Sequence, residues 1–461
     1  MGPAPRPGAP LSHIKVRRIN SYGKGRSNPP VFLQPLACYT SGMDLPRLLL
    51  VRQTLPDRGI KDIPGTVARE LSQAGFASGL KPGSSVAIGV GSRGIANLSV
   101  IVRAVVDYWR SEGMQPFLFP SMGSHGAATA EGQAQVLADY GIHEAAMGCP
   151  VRSSLEVVDL GKTPEGIDTL MDRLAFESDG VMLVSRVKSH TDFEGRIESG
   201  LYKMMAIGLG KQAGAKRYHT YSYGMGLEAV IRSVGRQVLK SGKMLGGLAI
   251  VEDGNNNTAQ LAAVPVESME PREEELLALA KSWAARIPVA ELDILIVDEI
   301  GKHISGTGMD AKIVNRNSRG AWNPWPFPPR IGRIFIRDLS PHSHGNALAI
   351  GMADVVTDRL VSRIDWATSL MNSLTAGSPA AMRTPIHFPT DRECLETVAP
   401  TVGKLNLMEL KIGWIRNTLE LSRLILSEPL RDEIEANPDL TIVGGPIEIP
   451  YGADGNLVDV A

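Results

Sequence analysis

The chain has 461 residues, with 48 Lys and Arg against 49 Asp and Glu, a net charge of −1 and three cysteines. That length exceeds one ordinary core and points to two domains, while the charge balance removes any chain-wide attraction to phosphate backbones or acidic membrane surfaces, so neither nucleic acid nor membrane is expected as a partner. Cys38, Cys149 and Cys394 are odd in number, far apart and without CxxC spacing, which excludes a disulfide framework and a cysteine-bound metal site and suits a reducing compartment.

Residues 1–30 open on Met1-Gly-Pro-Ala-Pro-Arg-Pro-Gly-Ala-Pro10. This Pro/Gly stretch has no apolar run and reads as a loosely ordered tail, neither signal peptide nor anchor. No apolar run reaches the roughly 20 residues that a bilayer requires, so a cytoplasmic protein is expected. Ser85-Val-Ala-Ile-Gly-Val90 reads as a strand, Gly91-Ser-Arg-Gly94 as a glycine loop, and Leu98, Ile101, Val102, Val105, Val106 and Trp109 as one face of a helix. The unit repeats: a strand at 115–120, a loop around His125, then a helix with Thr129 as N-cap, Glu131 in its first turn and Gly141 just past its end.

Further strands are predicted at 180–185 and 247–253, with a helix near 228–240 between them. A charged helix near 270–286 leads into a strand at 291–299, followed by a strand at 331–337, a helix near 346–363 and a strand at 439–443. Alternation of this kind predicts an α/β fold of two domains, 31–288 and 289–461, each a parallel or mixed sheet flanked by helices. No repeat of fixed period is present.

In such folds ligands bind at the carboxyl ends of the strands. The loops at 91–94, at Met122-Gly-Ser-His-Gly-Ala-Ala-Thr129 and from Arg186 onward all follow predicted strands, so they are expected to converge on one cleft between the domains. A glycine loop opening onto a helix offers backbone N–H groups to a phosphate, with Arg93 adding charge. It lacks GxGxxG spacing and a Walker lysine, and a turn with a solvated arginine is the bland alternative. His125 and His190 each read either as a histidine satisfied within a turn or as a proton carrier. Together, after strands that end at one edge, they favour proton transfer.

Pro120-Ser-Met-Gly-Ser-His-Gly, Lys188-Ser-His-Thr-Asp-Phe-Glu-Gly, Glu198-Ser-Gly-Leu-Tyr-Lys203 and Gly208-Leu-Gly-Lys-Gln-Ala-Gly-Ala resemble the nickel-dependent lactate racemase family. The resemblance is clear over 85–219 and looser over 298–310. It implies His125 and His190 as an acid/base pair, and Lys203 as the covalent anchor of a nickel pincer nucleotide, pyridinium-3,5-bisthiocarboxylic acid mononucleotide. It further implies His219, sixteen residues after Lys203, as the nickel ligand, with Gly91, Ser92, Arg93 and Gly94 beside the cofactor. Lys302 or Lys312 of the second domain would contact substrate.

The reaction implied is racemisation or epimerisation at C2 of a 2-hydroxy acid by hydride transfer, with cofactor-synthesis proteins as maturation partners and a homo-oligomer possible in principle. Two departures mark this chain. The run between Gly195 and Lys203 is two residues longer than the family's, which leaves Lys211 and Lys188 as alternative anchors. The acidic residue that precedes the family's arginine is absent before Arg93, which points to a substrate other than lactate. Lys302, Lys312, Arg316 and Arg319 would suit a more polar acid such as a sugar acid.

Other signals compete. His342-Ser-His344 with Asp338 reads as a turn or as the metal site of a hydrolase, which is the alternative function. A non-catalytic nucleotide-binding or cofactor-carrier protein is a third reading. Glu252-Asp-Gly-Asn-Asn-Asn257 lacks the acidic alternation of a calcium loop and reads as a polar turn. Trp322-Asn-Pro-Trp-Pro-Phe-Pro-Pro329 reads as a lid or a packed surface loop, and Met204 and Met205 as core.

Overall fold

The computed structural model describes residues 43–91, 94–191 and 193–460; the predicted N-terminal tail, Cys38, Ser92, Arg93 and Asp192 lie outside the described residues. Asp44–Ala461 form one compact unit. Its strands, in chain order, are β1 (Leu48–Gln53), β2 (Ser85–Val90), β3 (Gln115–Pro120), β4 (Val157–Lys162), β5 (Asp168–Asp172), β6 (Gly180–Arg186), β7 (Met244–Glu252) and β8 (Thr258–Pro265). They continue with β9 (Glu291–Ile300), β10 (Arg330–Leu339), β11 (Val355–Thr357), β12 (Ile386–Phe388), β13 (Ile412–Ile415), β14 (Arg423–Ser427) and β15 (Leu440–Ile447).

Two mixed sheets flanked by helices organise the chain. One has the order β3-β2-β6-β7-β8, its first four strands parallel and β8 antiparallel. Burial on both faces explains the nearly unbroken apolar runs of β2, β3 and β6. Val86, Ile88 and Val90 pack with Ile101, Val102, Val105, Val106 and Trp109 of helix Leu98–Ser111. Ala87 and Leu183 pack with Val230, Val234 and Val238 of helix Leu227–Leu239 on the opposite face. The other sheet has the order β12-β11-β10-β9-β13-β14-β1-β15, parallel from β12 to β13 and antiparallel beyond. β4 and β5 form a separate hairpin.

In both sheets the chain reverses its direction of strand addition, between β2 and β6 and between β9 and β13. Those are the points where α/β folds open a ligand crevice at the carboxyl ends of the strands.

The predicted helix near 346–363 does not form. Ala349 takes a left-handed φ of 74°, and a Cβ at Gly351 would lie 2.4 Å from the Ala380 carbonyl oxygen. The β-branched run that follows becomes β11, pairing Val355 with Phe335 and Val356 with Ile336. Only Asp358–Ser362 is helical in its second half. Tertiary pairing here overrides a periodicity that looks helical.

The Trp322–Pro329 stretch is a packed loop. Trp325 is buried in the core of the eight-stranded sheet, and Asn315 Nδ2 donates to the carbonyls of Trp325, Phe327 and Pro329. Among the described residues no helix is long and apolar enough to cross a membrane.

Candidate active site

The loops after β2, β3 and β6 leave the same edge of the five-stranded sheet, and the loop after β9 meets them. Lys312 Nζ, from that last loop, donates to Ser189 Oγ at 2.7 Å and to Glu198 Oε2 at 2.8 Å. Tyr223, near the end of helix Lys211–Met225, donates to the Gly377 carbonyl at 2.7 Å. Gly91 and Gly94, the described residues of the first loop, are each held by neighbouring segments. A Cβ at Gly91 would lie 3.6 Å from Met204 Sδ, and the Gly94 carbonyl accepts from Arg186, which also pairs with Glu252.

His190 is half-buried, with the Phe193 ring 4.5 Å from its own. Its imidazole is held well below the ordinary 6.5, first by burial and then by the positive charges of Lys203, Lys312, Lys188 and the ring of His219. Burial and the neighbouring positive charges both favour the neutral ring, the state a general base requires. Lys203, Lys188, His219 and Lys312 therefore all act on one ring.

That convergence depends on a broken helix. In a straight α-helix sixteen residues span about 24 Å, which would set Lys203 and His219 far apart. Instead Leu201–Lys203 runs into a π-helical turn at Met204–Gly208, and the chain restarts as helix Lys211–Met225 with Lys211 at a left-handed φ of 54°. Both Lys203 and His219 are half-buried. π-turns of this kind recur at functional sites, where they re-aim side chains.

The His125 loop sits on this break. A Cβ at Gly123 would meet Ile207 at 3.0 Å and Ala215 at 3.1 Å, and one at Gly208 would meet Ser121 Oγ at 2.4 Å. Gln133 Nε2 donates to the carbonyls of Met122 and Gly123. Thr129 caps helix Ala130–Asp139 as predicted, accepting from the Gly132 N–H at 3.0 Å. Just after His125, Gly126, Ala127 and Ala128 all take left-handed φ angles between 54° and 59°. Alanine disfavours that region by roughly 1–2 kcal/mol per residue, so surrounding packing holds the loop in a strained form.

Lys211 is no anchor. Its ammonium is 0% exposed, pairs with Asp172 at 3.0 Å, and donates to the Pro120 carbonyl at 2.7 Å and to Gln133 Oε1 at 3.2 Å. Lys188 stays beside His190. Lys302 donates to the Gly306 carbonyl of its own loop at 2.8 Å. Arg316 is buried against Asp354 and the Met352 carbonyl, and Arg319 is exposed; Arg316 therefore braces the loop instead of facing a sugar acid.

His342, His344 and Asp338 do not assemble a metal site. Asp338 is engaged by Arg359 and Arg363 at 3.0 and 2.9 Å, while the His342 ring packs against His303 at 5.4 Å. Among the described residues no group of three or more His, Cys, Asp or Glu side chains is arranged to hold a metal ion.

Three residues essential to this arrangement escaped the sequence reading. Glu198 is a fully buried acceptor beneath His190. Glu273 accepts from the Tyr202 N–H at 2.9 Å, at the start of the Lys203 turn. Asp172 neutralises Lys211. Only Glu198 had a signal, since it falls in the 195–203 stretch already singled out in the sequence.

No protein-family profile and no curated protein matches the chain. Among solved structures, two are similar to this chain at low identity. One is a protein from Thermotoga maritima, at 12% identity and a TM-score of 0.47, covering 76% of this chain and 96% of its own. The other is the lactate racemase apoprotein from Thermoanaerobacterium thermosaccharolyticum, at 14% identity and a TM-score of 0.44, covering 86% of this chain and 96% of its own.

Proposed function

We propose that the chain is a racemase or epimerase that inverts C2 of a 2-hydroxy acid. What supports this reading is the grouping near one imidazole, His190, of Lys203, Lys312, Lys188 and the His219 ring, whose positive charge adds to burial in holding that imidazole well below its ordinary value. The half-buried Lys203 and Lys188 bring positive charge to this edge, which suits both a phosphorylated cofactor and a carboxylate substrate. The donor set also fits the nickel pincer nucleotide. The Lys203 amine would tether it, the His219 imidazole would ligate nickel as a neutral nitrogen donor, and the 91–94 turn, with Arg93 assigned from sequence alone, would face its phosphate. When bound, that group supplies an acceptor for the C2 hydrogen with its electron pair.

The chain's own residues manage the other proton. One imidazole takes the hydroxyl proton of the substrate, and the other returns a proton after the flat keto acid has presented its second face. His190 suits the accepting role because its surroundings hold it neutral. His125, on a strained loop that follows the adjacent strand, is its counterpart.

The test uses protein co-expressed with cofactor-synthesis proteins and a panel of 2-hydroxy acids deuterated at C2. Intact mass is expected to show an adduct on Lys203 that Lys203→Ala abolishes, and inversion is expected to retain most of the label. Replacing His125 or His190 by Ala should slow inversion by about 10²–10⁴-fold with the adduct still present. Complete exchange of the label with solvent, or inversion undiminished in both histidine variants, would overturn the reading.

A further inference from the structure

The candidate site is organised around Glu198, which belongs to none of the roles considered above. Its side chain is 0% exposed. Oε2 accepts from the His190 backbone N–H at 2.5 Å, the Ser189 hydroxyl at 3.2 Å and Lys312 Nζ at 2.8 Å. Oε1 accepts from the Gly195 N–H at 3.0 Å and lies 2.5 Å from Lys281 Nζ. Five donors therefore converge on one carboxylate from three stretches of chain: the loop after β6, helix Met269–Trp283 and the loop after β9. Charge-assisted bonds of this kind are short and directional, and so many of them leave the carboxylate a single arrangement.

We infer that Glu198 is a positioning residue that locks the backbone of His190 to Lys312 across the edges of the two sheets. The inference rests on the proposed function only in saying that the positioned group is an acid or base; the lock itself is geometric. It changes the expectation for Lys312. Two of that ammonium's three N–H groups are engaged by Ser189 and Glu198, and its charge is compensated. Lys312 is then left to meet a ligand as one directed donor in place of an uncompensated cation.

Amide hydrogen exchange on the full chain tests the lock without any assay of activity. It is followed in the wild type, Glu198→Gln, Lys312→Met and the double variant. Each single change is expected to speed exchange of the 188–198 amides by about tenfold, while the amides of β2 and β3 keep their protection. The double variant should exchange no faster than the faster single, because both changes open one latch. Unchanged exchange at 188–198 in Glu198→Gln would overturn the inference, and so would fully additive effects in the double variant. Should Glu198→Gln not fold, Lys312→Met alone still decides the first point.

In a racemisation assay both single variants are expected to lower kcat by about tenfold with KM nearly constant, the signature of a misplaced base. A Lys312→Met enzyme with raised KM, intact kcat and unchanged exchange would make Lys312 a receptor for substrate charge and sink the lock. If the wild type inverts no 2-hydroxy acid while the exchange coupling appears, the lock stands and the proposed function falls.

Discussion

Glu273 places a carboxylate that is 1% exposed against the Leu201–Lys203 turn, where it accepts from the Tyr202 N–H. Burial pushes its pKa from the ordinary 4.5 to about 7, more than its backbone donors pull it down. A Cβ on Gly200 would lie 2.6 Å from Oε1, so glycine is required beside it. A folded pKa above the unfolded value means stability that is complete below pH 4.5 and lost as pH rises through about 7. The loss by pH 8 is of order 3 kcal/mol. Glu273→Gln keeps an acceptor oxygen and does not ionise. It should therefore gain on the wild type as pH rises from 5 to 8, read as the difference in urea midpoints. A difference that stays constant over that range would show that Glu273 does not titrate there.

The helix break between Lys203 and His219 depends on a buried ion pair. Burial pulls the Lys211 ammonium down and pushes the Asp172 carboxyl up, and each partner opposes the shift of the other. Lys211→Met leaves an unpaired carboxylate in the interior, a change that typically costs about 3–5 kcal/mol. Pairing it with Asp172→Leu should recover most of that loss in chemical denaturation. Recovery of stability need not restore the His125 loop, since the Pro120 carbonyl and Gln133 also lose their donor. A double variant no more stable than Lys211→Met would refute the ion-pair account.

This element also marks how far the sequence could be read. The three loops at strand ends were legible because apolar runs bounded by glycine are local signals, and so was the cap at Thr129. The break was not, because Gly208, Gly210 and Lys211 fit either a continuous helix or a turn. Only the distant Pro120 carbonyl, Gln133 and Asp172 settle the choice. Arg316 was misread for the same reason, its partner Asp354 lying thirty-eight residues away on a segment taken for helix.

At the scale of the whole molecule, β1 belongs to the eight-stranded sheet although thirty-odd residues separate it from β2 and its five-stranded neighbours. It lies between β14 and β15, pairing Leu48 with Ser427 on one side and Gln53 with Leu440 on the other, and Arg47 adds an ion pair to Glu428. A fragment that begins at 289 would retain the parallel strands β9 to β13 but lose the strand that joins β14 to β15. Two strand edges would then be exposed at once, the usual template for aggregation. Leu49 and Val51 would be missing from the core, each worth about 1.5–3 kcal/mol of burial. The fragment 289–461 is therefore expected to be insoluble or to unfold without cooperativity. The same fragment fused to residues 44–54 through a flexible linker should regain a cooperative transition by circular dichroism. Cooperative unfolding of the bare fragment at the same temperature as 44–461 would show that β1 is an accessory to the second sheet and not one of its structural members.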